Sequence, residues 1–354
     1  MDIHRFRDRI DRLDARIVKL LNERMEQAVM LARAKEQIID PAREAAVIDQ
    51  VCRAAAPFMD AGFIEELYRR IIAESRRIQS SAHTLIGFQG EHGAYSEEAA
   101  DAWDPTLVAV PCREFAEVFD GIAAGTFDLG IVPVENSLGG MVVPVNELLI
   151  RTNLHIVGAV ELPVSHCLLA LPESDHRDIR AVYSHPQALA QCRGFIARNR
   201  FEAIPFYDTA GAARMLAEER PRAAAAIAGK LCADRYGLEI LKEQIEDSAT
   251  NRTRFLLIGR EPAKEPGNKC SLTFSTEHRA GTLFSVLELF ARADINLTRI
   301  ESLPVGNGVY QFLVDLIGSA DEPRIAAALK QAVAATTGLR LLGCYRELQP
   351  LRPS

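Results

Sequence analysis

The residue that most directly invites a chemical reading is a threonine. Thr253 stands in the stretch DSATNRTRFLLIGRE, between Arg252 and Arg254 and just ahead of the apolar run Phe255-Leu256-Leu257-Ile258. Near neutral pH a threonine hydroxyl is a very poor free acid, because efficient proton donors have pKa values near the working pH. It can still donate a hydrogen bond to a departing oxygen, with any full transfer concerted with bond breaking. Successive side chains of a strand leave opposite faces, so Thr253 and Phe255 share one face and Arg252 and Arg254 the other. The competing reading is a strand start with its arginines in solvent.

A second constellation lies near the N-terminus. Ile3, Phe6, Ile10, Leu13, Ile17 and Leu20 step by three and four, the seam of a bundle or coiled-coil helix. Continued, the seam reaches Arg24 where an apolar residue belongs, and Lys35 lies about 20° from Arg24 around the helix. A later helical stripe, Phe63-Leu67-Ile71, ends in Ser75 and Gln79. Inward charge is costly unless paired, so clustered cations invite an anionic ligand. No breaker occurs before Ile38, so the first helix would run about 50 Å. A helix that long in so short a block needs a partner, which predicts a homodimer of intertwined helices. Asp40-Pro41 starts a second helix as N-cap and first residue, with Arg43 and Glu44 in its first turns.

These residues carry a resemblance. FRDRIDRLDARIVKLLNERMEQAVMLARAK, DPARE and IIAESRRIQ are similar to the all-helical chorismate mutases across residues 1–80. The resemblance implies that Arg24, with Arg7 donated by the other subunit, holds the carboxylates of chorismate. It places Lys35 and Gln79 at the ether oxygen, Glu44 and Asp40 at the ring hydroxyl, and Arg43 and Ser75 in the rest of the pocket. A Claisen rearrangement needs no acid, base or nucleophile. It needs one conformer held and the charge developing on the ether oxygen stabilised.

The middle of the chain, 84–260, alternates short apolar runs with helical patterns, the mark of an α/β fold. The alanine-rich RAAAAIAG (222–229) reads as a helix. Three loop-to-helix junctions carry capping residues: Ser96 in GEHGAYSEEAA, Pro186 with Gln187 and Gln191 on one face in YSHPQALAQC, and Thr209 in YDTAGAARML. Free N–H groups at helix starts collect carboxylates. VPVENSLGG ends a strand with Glu135-Asn136-Ser137, polar residues where α/β clefts bind ligands. GAYSEEAA, PVENSLGG, SHPQALAQC, DTAGAA and NRTRFLLIG, in this order, resemble prephenate dehydratase. That family implies a two-lobed domain like the type II periplasmic binding proteins, with its site in the cleft. By position, Thr253 is the catalytic hydroxyl. Glu135, Asn136, Ser184, Gln187, Gln191 and Asp208 bind prephenate, Phe255 packs, and His185 is structural. The reaction expels CO₂ and water from prephenate and needs no metal or cofactor.

After the linker GREPAKEPGN (259–268), strand and helix patterns follow in the order βαββαβ, a ferredoxin-like α+β domain over 268–354. It resembles the ACT domain, which binds phenylalanine between paired copies. The motif positions are Gly281-Thr282-Leu283 and Glu301-Ser302-Leu303-Pro304, with Thr282 and Leu303 departing from the family's alanine and arginine.

Composition sets the frame. The chain has 354 residues, 48% hydrophobic and 25% charged, with net charge −7. That describes a multi-domain globular protein and speaks against nucleic acid and membrane as partners. Seven cysteines lie apart without a CxxC pair, which predicts reduced thiols in the cytoplasm and no metal site. The sequence thus reads as a bifunctional enzyme converting chorismate to prephenate and on to phenylpyruvate, with phenylalanine as effector. Arogenate as the dehydratase substrate is one alternative. A ligand sensor with a dimerising helical domain is the other.

Overall fold

The computed structural model describes residues 3–35, 37–55, 58–172, 174–277, 279–306 and 309–348. The chain divides into two compact units, Met1–His83 and Thr84–Ser354.

The first unit is three helices: α1 (Ile3–Ala34), α2 (Pro41–Ala54) and α3 (Ala61–Gln79). Asp40 caps α2 by accepting from Arg43 N at 3.0 Å, and Asp60 caps α3 by accepting from Phe63 N at 3.2 Å. Each satisfies a backbone donor that the helix start leaves open. Ala28 and Val29 of α1 are buried, as are Ile64 and Ile72 of α3. The N-terminal seam of α1 is not: Ile3, Ile10 and Ile17 are 63%, 55% and 53% exposed. Among the described residues of one chain, nothing covers the apolar face over about the first two-thirds of α1. Helix α1 stops at Ala34, so Lys35 sits just past its end rather than on its inward stripe.

The second unit begins with β1 (Leu85–Gln89), α4 (Tyr95–Trp103), β2 (Val108–Cys112), α5 (Phe115–Ala124), β3 (Leu129–Asn136), β4 (Gly140–Met141), α6 (Val143–Arg151) and β5 (His155–Pro163). A second lobe follows, with β6 (Cys167–Ala170), β7 (Ala181–Ser184), α7 (Pro186–Gln191), α8 (Arg193–Asn199), β8 (Glu202–Pro205), α9 (Thr209–Glu219), β9 (Ala224–Ala228), α10 (Leu231–Tyr236) and β10 (Glu239–Lys242). The chain then returns to the first lobe as β11 (Arg252–Gly259). The lobes are joined by two crossings, 164–166 and 243–251, tied together by Val164 N donating to Asn251 O at 2.9 Å. The second lobe's sheet runs β10-β6-β9-β7-β8.

RAAAAIAG is not a helix. Ala224–Ala228 form β9, buried at every position between β6 and β7. Alanine's helix propensity is worth only tenths of a kcal/mol per residue, and a central strand position overrides it. Ser96 is also corrected: α4 begins at Tyr95 with Ala94 as its cap, so Ser96 lies inside the first turn.

The remaining elements are β12 (Lys269–Ser275), α11 (Thr282–Arg292), β13 (Leu297–Gly306), β14 (Val309–Ile317), α12 (Pro323–Ala335) and β15 (Thr337–Leu348), the βαββαβ order read from the sequence. Their sheet does not end at the domain boundary. β15 pairs with β12 on one side and, through Arg346–Leu348, runs parallel to β5 on the other. One ten-stranded sheet therefore runs β13-β14-β12-β15-β5-β11-β3-β1-β2, with β4 beside β3. Arg340 of β15 reinforces the junction by donating to the last carbonyls of α6, at Leu149 (2.7 Å), Ile150 (2.9 Å) and Thr152.

The expectation of reduced thiols fails at one pair. Cys270 and Cys344 form a disulfide between facing positions of β12 and β15, Cα atoms 4.1 Å apart. They are 74 residues apart in sequence, so no spacing motif announces them. No helix among the described residues is long and apolar enough to cross a membrane.

Candidate functional site

In the helical unit, Arg24 Nη1 donates to Ser75 Oγ, and Ser75 Oγ lies 3.3 Å from Met25 Sδ. Two of the pattern-breaking residues are thus brought together, one from α1 and one from α3. Ser75 is buried and Arg24 half-buried. Lys35 at the end of α1 and Gln79 at the end of α3 are also half-buried. Asp40 is exposed and occupied as a cap, and Arg43 is exposed. Glu44 is held by Arg76, with Nε 2.7 Å from Oε1 and Nη2 on Oε2, a partner that the sequence reading missed. Arg7 is not brought to the others. It precedes Arg24 by 17 residues on one continuous helix, about 26 Å along the axis.

In the two-lobed part, β3 and β11 run antiparallel with Asn136 opposite Thr253 and Glu135 opposite Arg254. Asn136 Oδ1 accepts from Leu138 N (3.1 Å) and Gly139 N (2.7 Å). Those backbone groups can only donate, so they fix the amide with its NH₂ toward β11. Nδ2 lies 2.9 Å from Thr253 Oγ1, 2.8 Å from Asn251 Oδ1 and 3.1 Å from Arg252 O. An amide nitrogen cannot accept, so Thr253 Oγ1 is the acceptor there and its own proton is left to point elsewhere. Asn251, 1% exposed, has an Nδ2 with no partner among the described residues. It is an unpaired buried donor two residues before Thr253, and the sequence reading passed over it.

A cavity of about 310 Å³ opens beside this group, lined by Leu138, Gly139, Gln187, Gln191, Asp247 and Ser248. Gln187 Nε2 lies over Gly139, where a Cβ would make the glutamine amide shift. Gln191 Oε1 is 2.8 Å from His166 Nε2, and His166 Nδ1 is 2.8 Å from Tyr95 OH. Burial pulls the pKa of His166 below its ordinary value, so the ring is held neutral. His166 sits at a lobe crossing in an apolar stretch, the one signal in LPVSHCLLA that could have flagged it.

The other expected cleft residues are placed differently. Ser184 is buried, and its hydroxyl donates to Ile227 O at 2.5 Å. Asp208 caps α9, accepting from Gly211 N at 2.7 Å, and burial raises its pKa. Thr209 is the first residue of α9, and His185 caps α7 by accepting from Gln187 N at 3.2 Å. Phe255 is 2% exposed within the core that the two lobes share. Glu135 does not share Asn136's face. It points to the opposite side of the sheet, 3.6 Å from Arg299 of β13. Of the two arginines flanking Thr253, Arg252 is half in solvent beside Glu161, whereas Arg254 is 5% exposed and fully engaged.

A second cavity, about 390 Å³, lies in the C-terminal domain, lined by Gly281, Thr282 and Leu283 together with Arg279, Tyr310 and Phe312. Thr282 Oγ1 donates to Glu277 O and Arg279 O, both at 2.9 Å, which ties the loop that shapes it. Glu301 and Ser302 lie on β13, off this lining, and Leu303 is 3% exposed.

Three family profiles match the chain in order: chorismate mutase type II at residues 6–80, prephenate dehydratase at 86–263, and the ACT domain at 271–334. A relative from Arabidopsis thaliana, "Arogenate dehydratase/prephenate dehydratase 2, chloroplastic", is 41% identical over 76% of this chain and 74% of its own length. Among solved structures, a prephenate dehydratase from Arthrobacter aurescens in complex with L-Phe is 30% identical, with TM-score 0.69, over 74% of this chain and 89% of that one. Another, titled GqqA, a novel type of quorum quenching acylases, is 36% identical with TM-score 0.70, over 75% of this chain and 98% of that one.

Proposed function

We propose two successive reactions for this chain, which belongs to the prephenate dehydratase family: a Claisen rearrangement in the helical unit, then a decarboxylative dehydration in the two-lobed cleft. The chain is a bifunctional enzyme, with a type II chorismate mutase domain ahead of the dehydratase and an ACT domain after it. The first domain makes prephenate, which is the reason for assigning prephenate rather than arogenate to the second. The acylase title of one structural neighbour is disfavoured on the same ground.

In the mutase, Arg24, steadied by Ser75, grips a carboxylate, and Lys35 and Gln79 address the ether oxygen. The long exposed seam of α1 pairs with a second copy, which supplies Arg7. In the dehydratase, the C–C bond to the ring carboxylate breaks and CO₂ leaves. Its electron pair moves into the ring and expels the 4-hydroxyl, which takes the Thr253 proton as it departs as water, solvent returning a proton to the threonine. Thr253 donates to that oxygen. The observation that supports this role is the Asn136 amide, whose NH₂ faces Thr253 Oγ1 and leaves the threonine's proton free for another acceptor. Such donors act through electrostatic preorganisation, each worth roughly 10²–10³ in rate. The ACT domain takes phenylalanine as effector, with Gly281-Thr282-Leu283 at the cavity wall.

The test is to supply chorismate and follow prephenate and phenylpyruvate together. Both should appear, and Thr253→Ala should stop the sequence at prephenate. Absence of phenylpyruvate from the wild-type chain would reject the reading. Parallel kinetics on arogenate decide the substrate, a higher kcat/KM on arogenate reversing it. Calorimetry of phenylalanine with the intact protein tests the effector, and no heat of binding rejects it.

A further inference from the structure

β11 presents two functions on its two faces. Thr253 faces Asn136. The next residue, Arg254, projects from the other side and is 5% exposed. Its three nitrogens all meet groups of the ACT domain: Nε lies 2.6 Å from Glu347 Oε1, Nη1 2.5 Å from Asp315 Oδ2, and Nη2 2.9 Å from Tyr345 OH. Behind them Ser271 Oγ bonds Asp315 Oδ1 at 2.5 Å and Tyr345 OH at 2.6 Å, and Lys269 Nζ reaches Glu347 Oε2 at 2.7 Å. The adjacent strand repeats the arrangement. Asn136 faces Thr253, while Glu135 faces Arg299 of β13, which donates to Asn146 Oδ1 at 2.6 Å.

A guanidinium this deeply buried is tolerable only where its partners stand, since removing one leaves charge uncompensated. The ACT strands therefore dictate where Arg254 sits, and one peptide unit carries that position to Thr253. The register of β11 against β3 shifts between Arg254 and Phe255, and such an irregularity re-aims neighbouring side chains. A misplacement of about 1 Å at a reacting group costs on the order of 10²-fold in rate.

We propose that Arg254 is a positioning residue through which the Asp315–Tyr345–Glu347 cluster of the ACT domain sets the place of the Thr253 hydroxyl, and so the dehydratase rate. The proposal rests on Thr253 being the hydroxyl donor. Its test uses the full chain with Asp315→Asn and Tyr345→Phe, neither of which touches the cleft. Each should lower dehydratase kcat by about tenfold or more, leave KM for prephenate within about twofold, and leave mutase turnover unchanged. Because the effect passes through Thr253, Asp315→Asn should add little in a Thr253→Ser background.

Wild-type kcat in either folded variant overturns the proposal. So does additivity with Thr253→Ser, or a parallel fall of mutase and dehydratase that marks general destabilisation. Should Asp315→Asn fail to fold, Tyr345→Phe, which removes one hydroxyl and keeps the ring, decides alone. Undiminished dehydratase activity in Thr253→Ala would overturn the underlying reading. An inactive Thr253→Ala beside unaffected ACT variants overturns only the coupling.

Discussion

Asn136 Nδ2 lies 2.9 Å from Thr253 Oγ1, and two backbone N–H groups on Asn136 Oδ1 prevent the amide from turning over. The direction of the threonine's proton is thus set by residues 138 and 139, outside β11. Asn136→Asp keeps the oxygen that these groups need and replaces the donor with an acceptor. Thr253 would then donate to the carboxylate instead of the substrate. Dehydratase kcat should fall by about 10² or more in the folded variant, whose thermal transition also drops because the new carboxylate faces the Arg252 carbonyl. Steady-state kinetics beside a melting curve decides it, and near-normal kcat removes the directional role.

The mutase machinery should be separable from the dehydratase. Lys35→Ala is expected to lower chorismate turnover by roughly 10²–10³ while conversion of added prephenate stays at the wild-type rate. Assaying the two substrates separately checks this, and full mutase activity in the variant would remove Lys35 from the site.

Arg7 and Arg24 cannot meet one ligand within a single straight helix. If a second copy lies on the α1 seam, Arg7→Ala and Arg24→Ala chains should each be inactive alone and recover on mixing. With random pairing, half the dimers are mixed and each rebuilds one site, so about a quarter of wild-type mutase activity returns. Refolding the two chains together and assaying chorismate turnover measures it. No recovery means that the two arginines do not serve one shared site.

His166 gives the dehydratase a pH dependence of predictable sign. Burial lowers its folded-state pKa below the ordinary 6.5, so the unfolded chain binds more protons between the two values. Stability contributed by the neutral ring is intact above pH 6.5 and is lost as pH falls below it. His166→Gln stays neutral and should show a smaller drop in Tm between pH 7.5 and 5.5 than wild type. An equal drop in both would assign the acid sensitivity to other groups.

Local pattern carried much of this from the sequence. The seam of α1, the cap at Asp40, the βαββαβ order and the opposite facing of Thr253 and Arg254 are all properties of short segments. What escaped depends on distant pairings. Arg254 finds Asp315 and Tyr345, 61 and 91 residues away, and Cys270 finds Cys344. Glu44 is claimed by Arg76 from another helix. RAAAAIAG was misread because eight residues are too few for periodicity to separate a buried strand from a buried helix. Glu135 is a different kind of miss. Strand alternation alone shows that it and Asn136 cannot face the same ligand, and the resemblance to a motif obscured that.

The parallel pairing of β15 with β5 also fixes an order of events. Gly158 and Arg346 are partners across about 190 residues. At ribosomal speeds of about 5–20 residues per second, β5 waits roughly 10–40 s for the strand that covers its open edge. The packing of α1 and α2 on α3 has no such wait, since it closes within residues 3–79; only the α1 seam is left for a second copy. During synthesis the mutase helices can be native while the dehydratase sheet still exposes an unsatisfied backbone edge, which is when edge-to-edge aggregation is most favoured. A ribosome-bound chain halted before β15 should therefore protect α3 and the β5 amides that bond β11 from hydrogen exchange, and leave unprotected the β5 edge around Gly158–Val160 that β15 covers.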